Sequence, residues 1–390
     1  MTFGRRGGPL APAAFEWRYV TARESTRWRE DVATTLVDFD SLDVDQLITH
    51  LVEQGVTRMV VRSSEWPDDS MAARARAASL VLHDLEPDSL WCHQGSAVPA
   101  PRAVALATVV INTTVTERDA VLELLRVWST PSGAPLAAGD ESFHLVLLLN
   151  QEPGEGYRAA VADAMADGEL QRSIDDLTFV PLHLAAEDDR YERGQHGDPG
   201  DYGFKSGPNV QFFRGLDALT GQDDFALIVE TDTRPIRRGW LSAARDLVDR
   251  EGDAWVIGSV YRGPERTLHH TSRSHLNGNA IYALNQEFAE FRATCWEPLL
   301  KQFVKTRPYV AYDFALTLAM TTADGAAAAP DLLANWHRFR ASEFVQNLVV
   351  WGRFDPDAVD WEPIVDRLRL EHPATYLLHG VRGARRPPWS

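Results

Sequence analysis

The sequence predicts an α/β protein built on a doubly wound, mostly parallel sheet, preceded by a small N-terminal α/β region. Three features predict it. From residue 102 onward, short apolar runs alternate with amphipathic stretches at helical spacing, the pattern of a parallel sheet, whose crossovers are usually helices. The runs are nearly continuous in apolar residues, as expected of strands covered on both faces. One of them, Phe225-Ala-Leu-Ile-Val, leads directly into Glu230-Thr-Asp-Thr-Arg-Pro. Two acids then sit at the carboxyl end of a buried strand, where open α/β sheets place their ligands.

Taken in order, the chain opens on Arg5-Arg6 followed by Gly7-Gly8-Pro9, with no continuous apolar core, which reads as a disordered tail rather than an export signal. Residues 42–52 have helical spacing and stop at Gly55. Residues 57–62 read as a short strand and the Ala-rich 71–85 as a helix. Pro99-Ala-Pro101 is a natural boundary, giving a region 1–100, a main domain 101–382 and a frayed tail 383–390. In the main domain the strands expected are 103–111, 144–149, 177–182, 225–229 and 254–257. The helices expected are 117–128, 157–165, 209–219 and 240–249. Residues 185–203 form a polar, Gly-rich excursion, suited to a mobile lid or to an acidic surface loop.

Bulk composition narrows the function. The chain has 390 residues, 44% hydrophobic and 24% charged, as in soluble globular proteins. A net charge of −17 argues against nonspecific nucleic-acid binding, since a phosphate polymer is repelled. Cys92 and Cys295 are the only cysteines, too few for a disulfide framework or a Cys-rich zinc site. They fit a reducing cytosol, and no run of 18 apolar residues suggests a membrane span.

Three motifs carry chemistry. Glu230 and Asp232, spaced i and i+2 on extended backbone, share a face. Two hard oxygen ligands suit Mg²⁺ or Mn²⁺ bridging a diphosphate, although a solvated acidic turn has the same pattern. Lys205-Ser-Gly-Pro-Asn opens a helix, with Pro208 suited to its first turn. Free N–H groups there favour an anion. Lys205 could reach a phosphate, and Asn209 could hydrogen-bond a sugar or base; an ordinary helix start would look alike. His275-Leu-Asn-Gly-Asn forms a tight turn in which Gly278 is free to take positive φ. His275, Asn277 and Asn279 then suit recognition of sugar hydroxyls, or mark a plain Asn-Gly hairpin.

Lys205-Ser-Gly-Pro-Asn, Glu230-Thr-Asp-Thr-Arg-Pro, Gly239-Trp-Leu, Gly258-Ser-Val-Tyr-Arg-Gly and His275-Leu-Asn-Gly-Asn-Ala-Ile-Tyr occur in this order. Together they resemble the nucleotide-sugar-dependent glycosyltransferases of the GT-A fold, over roughly residues 102–345. The resemblance implies that Glu230-Thr231-Asp232 stands for the family's Asp-x-Asp motif. Glu230 departs from that pattern, which makes Asp232 the surer metal ligand and leaves Glu230 for the ribose or a metal-bound water. A nucleotide pocket falls on Asn112, Thr113 and Thr114, which would otherwise be a loop cap. Asp313, ahead of an apolar helix, becomes the candidate base for an inverting reaction, or a plain N-cap. His337 becomes a candidate third metal ligand, in competition with His269 and His270 and with a structural role. Arg262 could face a phosphate or be a surface charge. Trp240, Trp296 and Trp336 could stack on sugar rings, although most tryptophans serve cores or interfaces.

The expected function is transfer of a sugar from a nucleotide diphosphate donor to a hydroxyl acceptor, glycan or small molecule, with Mn²⁺ or Mg²⁺. Residues 1–100 could bind the acceptor, a partner subunit or a second copy of the chain. Two alternatives remain open. A nucleotidyltransferase shares the sheet and the metal but usually carries a Gly-rich basic loop after the first strand, where this chain has Asn112-Thr-Thr-Val-Thr. A noncatalytic sugar-binding protein would carry a decayed site.

Overall fold

A computed structural model describes residues 105–381 apart from 138, 167, 192–196, 262–274, 322–328 and 348–360, together with six short strands before residue 100. Of the latter, Thr2–Gly4 pairs with Leu36–Asp38, and Tyr19–Val20, Arg58–Val61 and Val81–Asp84 form a parallel sheet. The strand expected at 57–62 is present. The helix expected over 71–85 does not reach its expected end, because Val81–Asp84 is a strand paired with Arg58–Val61; residues 71–80 lie outside the described residues. The helix expected at 42–52, the tail 383–390, Arg262, His269 and His270 lie outside the described residues.

From residue 105 the strands are β1 (Thr108–Thr113), β2 (Phe143–Leu149), β3 (Ile174–Pro181), β4 (Phe225–Glu230), β5 (Thr233–Pro235), β6 (Val256–Gly258), β7 (Ala280–Ala283), β8 (Phe339–Ala341), β9 (Val345–Asn347) and β10 (Leu377–His379). The main sheet runs Cys92–His93, β8, β6, β7, β4, β1, β2, β3. Every strand is parallel except β7, which is antiparallel to both β6 and β4. This is the mostly parallel α/β sheet that the continuous apolar runs predict. Cys92–His93 lies before the expected boundary at residue 100 yet forms one edge of this sheet.

The helices needed below are α1 (Arg118–Trp128), α2 (Glu155–Met165), α3 (Ser206–Leu219), α4 (Trp240–Arg250), α5 (Tyr312–Thr321) and α6 (Trp361–Glu371). The crossovers β1-α1-β2 and β2-α2-β3 step one way, and α3 carries the chain back from β3 to β4 on the far side of β1. Right-handed crossovers therefore put α1 and α2 on one face and α3 on the other. Gly215 of α3 lies against Leu148 of β2, so close that a Cβ there would sit 2.2 Å from its Cδ2. Leu145, Leu147, Leu227 and Val109 are fully buried between these layers. Each such side chain contributes about 1.5–3 kcal/mol relative to exposure.

The direction of strand order reverses between β1 and β4, so a crevice opens at their carboxyl ends. A second, three-stranded sheet, in the order β5, β10, β9, flanks that crevice. It has its own small core, in which Ile236, Leu378 and Val381 pack with Trp361, Val365 and Leu368 of α6 and Val127 of α1.

Candidate metal centre at the carboxyl end of the sheet

Asn112 of β1 and Glu230 of β4 lie opposite each other in parallel register at the switch point. After Glu230 the chain turns through Thr231 and Asp232 and re-enters a sheet as β5. Thr233 pairs there with His379 of β10, which brings an imidazole to the two acids from 149 residues away. His379 Nε2 is 3.1 Å from Glu230 Oε2 and 3.4 Å from Asp232 Oδ1. One ligand atom from each of the three residues lies within 4.8 Å of the others. Asp232 is 1% exposed and Glu230 is half-buried.

The surrounding chain holds this group. The Asp232 carbonyl accepts from the Gly380 and Val381 amides at 3.2 and 3.0 Å. Asn279 Oδ1 accepts from the Glu230 amide and from Thr233 Oγ1, both at 2.7 Å, and Asn279 Nδ2 donates to Asn277 Oδ1 and Glu230 Oε2. His379 Nδ1 is 3.1 Å from Asn347 Oδ1. That oxygen can only accept, so Nδ1 carries the hydrogen and Nε2 faces the acids. Burial alone would pull the imidazole pKa down; the Asp232 and Glu230 carboxylates outweigh it and bring it up to about 10. Two carboxylates and one imidazole form a ligand set that can hold a divalent cation in place of that proton.

A second group faces the same space. Asp313 lies in the first turn of α5, its Oδ1 accepting from the Phe314 amide at 2.9 Å. It is not the N-cap, because the helix already starts at the Ala311 carbonyl, which accepts from Phe314 and Ala315. His275 Nε2 approaches Asp313 Oδ2 at 3.7 Å, and the His275 ring stacks on Phe314. Burial raises the Asp313 pKa above the usual carboxylate value, the charge of Glu230 adds to the rise, and His275 and Lys205 work against it.

The turn before β7 differs from the one expected. Gly278 does not adopt positive φ. A glycine is required there for space: a Cβ would stand 1.9 Å from Tyr312 Oη. Tyr312 cannot retreat easily, since it stacks on Phe212 at 3.8 Å and its amide donates to Asn209. Gly278→Ala is therefore expected to lose about 1–3 kcal/mol of stability through overpacking, read by denaturant unfolding. It should also reduce activity, because Tyr312 adjoins Asp313.

Several expected ligand contacts belong instead to the chain itself. Asn209 is 0% exposed, with Nδ2 donating to the Tyr202 and Val310 carbonyls and Oδ1 accepting from Tyr312. It ties α3 to the start of α5 rather than meeting a sugar or base. Asn279 is equally enclosed and braces the acidic turn. Asn277 and His275 are buried beside it. Thr113 and Thr114 face Glu117 in the cap of a short 3₁₀ turn, Val115–Glu117. The first turn of α3 is covered: Gly207 N–H donates to the Arg190 carbonyl, and the Tyr191 ring lies over Gly207. That amide is therefore not free for an anion. Lys205 is half-buried and lies near Asp313. Asn112 keeps an open role, for its buried Oδ1 has no hydrogen-bond partner among the described residues.

His337 is misplaced by the sequence argument. It is exposed and precedes β8, which runs parallel to β6 with Phe339 level with Val256. The start of β8 therefore lies at the amino end of β4, across the sheet from Asp232. His379 takes its place, and its only sequence signal is the short apolar run Tyr376-Leu-Leu-His followed by Gly380, at φ 92°. Trp240 and Trp296 are core residues whose indole N–H groups donate to the Gly133 and Tyr312 carbonyls.

No protein-family model and no curated protein matches the chain. Among solved structures it is similar to the galactosyltransferase LgtC in complex with donor and acceptor sugar analogs, at 14% identity and a TM-score of 0.38, over 72% of this chain and 88% of that one. It is similar to mouse xyloside xylosyltransferase 1, at 12% identity and a TM-score of 0.41, over 73% of this chain and 100% of that one. It is also similar to the bifunctional glycosyltransferase WbbM, at 9% identity and a TM-score of 0.39, where 75% of this chain spans 48% of the other.

Proposed function

We propose that the chain is a GT-A-like glycosyltransferase that moves a sugar from a nucleoside diphosphate donor to a hydroxyl acceptor. The observation that carries this reading is the convergence of Glu230, Asp232 and His379 at the switch point, beside Asn112, whose Oδ1 has no hydrogen-bond partner among the described residues. The mixed oxygen and nitrogen set suits Mn²⁺ better than Mg²⁺, which prefers oxygen alone. When bound, the cation supplies positive charge against the departing diphosphate.

The protein's own groups do the rest. Asn112 Oδ1 accepts from a ribose hydroxyl or a base N–H. Lys205 adds a point charge near the donor phosphates. In a single displacement, which inverts the anomeric carbon, the acceptor oxygen forms the new bond to that carbon. The bond to the diphosphate oxygen breaks, the diphosphate leaves with the electron pair, and the hydroxyl proton passes to Asp313. A carboxylate whose pKa is raised is a better base than an ordinary one, and His275 steadies its orientation.

A panel of nucleoside diphosphates and nucleotide sugars, screened by thermal shift with and without Mn²⁺, tests this reading. The matching diphosphate should stabilise the protein only with the cation, by about 2.7 kcal/mol at a hundred times Kd. Equal stabilisation in excess chelator would contradict a metal-bridged diphosphate. Mass analysis of products then separates sugar transfer from nucleotidyl transfer.

A further inference from the structure

Asp232 can serve the group only if the peptide planes on either side of it are held. Arg234, in β5, is buried. Its Nη1 donates to the Thr231 carbonyl at 2.5 Å and to the Thr233 carbonyl at 3.3 Å. The carbonyl between them, that of Asp232, accepts from Gly380 and Val381 of the neighbouring strand segment. Three successive carbonyls around the acidic turn are therefore fixed, two of them by one guanidinium. A planar fork can hold both carbonyls through Nη1 while Nη2 reaches Glu123 Oε1, a span that a single ammonium nitrogen covers less well.

A cation two residues from a metal ligand would ordinarily weaken the site. Here Arg234 Nη2 lies 3.5 Å from Glu123 Oε1 of α1, so an opposite charge offsets it. Its Nη1 bonds go to backbone carbonyls rather than to the Asp232 carboxylate, which instead faces His379. We infer that Arg234 is a positioning residue of the metal site: it fixes the turn that aims Asp232, and Glu123 offsets its charge so that the cation is not repelled. The inference rests on the metal reading proposed above.

Calorimetric titration of the metal-free full chain with MnCl₂, well below the melting temperature of every variant, tests it. Arg234→Gln should weaken Mn²⁺ binding about 10- to 100-fold, the range found when groups that orient metal ligands are removed. Amide hydrogen exchange at Gly380 and Val381 should quicken with it, because the Asp232 carbonyl they bond lies between the two carbonyls that Arg234 no longer holds. Arg234→Lys should fall between wild type and Arg234→Gln, and it carries the test if the glutamine variant does not fold. Glu123→Gln leaves the fork in place and should weaken binding less than Arg234→Gln. Unchanged Mn²⁺ affinity with a lowered Tm would reduce Arg234 to a structural residue, and tighter binding would make it an electrostatic brake; either overturns the inference. The metal reading itself fails by a different result: no Mn²⁺ uptake by wild type, or undiminished uptake by Asp232→Asn.

Discussion

Asp232→Asn is expected to lower sugar transfer by about a thousandfold or more, which is about 4 kcal/mol of lost transition-state stabilisation, while the protein still folds. The side chain is one of three ligands converging on one point. A neutral amide is a poor substitute for a carboxylate toward a hard cation. The fold should survive because residue 232 is tied into the flanking sheet by its backbone carbonyl, which accepts from Gly380 and Val381. Steady-state kinetics and a circular-dichroism melt of the same preparation check both halves. Full activity with saturating Mn²⁺ would remove Asp232 from the site.

Asp313→Asn should have the second largest effect on activity, and it should raise stability. Removing a general base typically costs about 10²- to 10⁴-fold in rate. The Asp313 pKa is raised in the folded protein, chiefly by burial, so the unfolded chain releases this proton at lower pH than the folded one. Between the two pKa values the folded state binds more protons, and stability falls as pH rises through that window. Ionised, Asp313 is therefore a liability to the fold. Asparagine removes that liability and can still accept from the Phe314 amide. The variant should melt at a higher temperature than wild type at pH 7, with the difference vanishing in acid. The wild-type rate should fall on acidification, with its inflection above the usual carboxylate range, and the variant should lack that acid limb. A lower Tm at pH 7 would contradict this account of Asp313.

Much of the architecture is legible in the amino-acid order because parallel strands must be apolar on both faces. Phe225-Ala-Leu-Ile-Val can be little else, and the acids that end it mark the crevice. His275 is singled out by the local Asn-Gly-Asn turn, whereas Asp313 is singled out by the resemblance, its local pattern being that of an N-cap. His379 is not legible, because what brings it to Asp232 is the pairing of two three-residue strands far apart in the chain. His337 misleads for a related reason: only the direction of β8 decides which end of the sheet it occupies. Asn209 and Asn279 show a different limit. An amide in a Gly-rich turn looks the same in sequence whether a ligand or the backbone satisfies it, and here the backbone and neighbouring side chains do. Gly278 reads as a conformational glycine but serves close approach to Tyr312.

The central claim is that Glu230, Asp232 and His379 together hold the cation. Pulsed electron paramagnetic resonance of the Mn²⁺-loaded protein addresses it directly, since a coordinated imidazole couples its nitrogen to the manganese spin. The account predicts coupling from a single histidine, lost in His379→Gln and retained in His337→Gln. A nitrogen signal that persists in His379→Gln, or a manganese ion ligated by oxygen alone in the wild type, would contradict it.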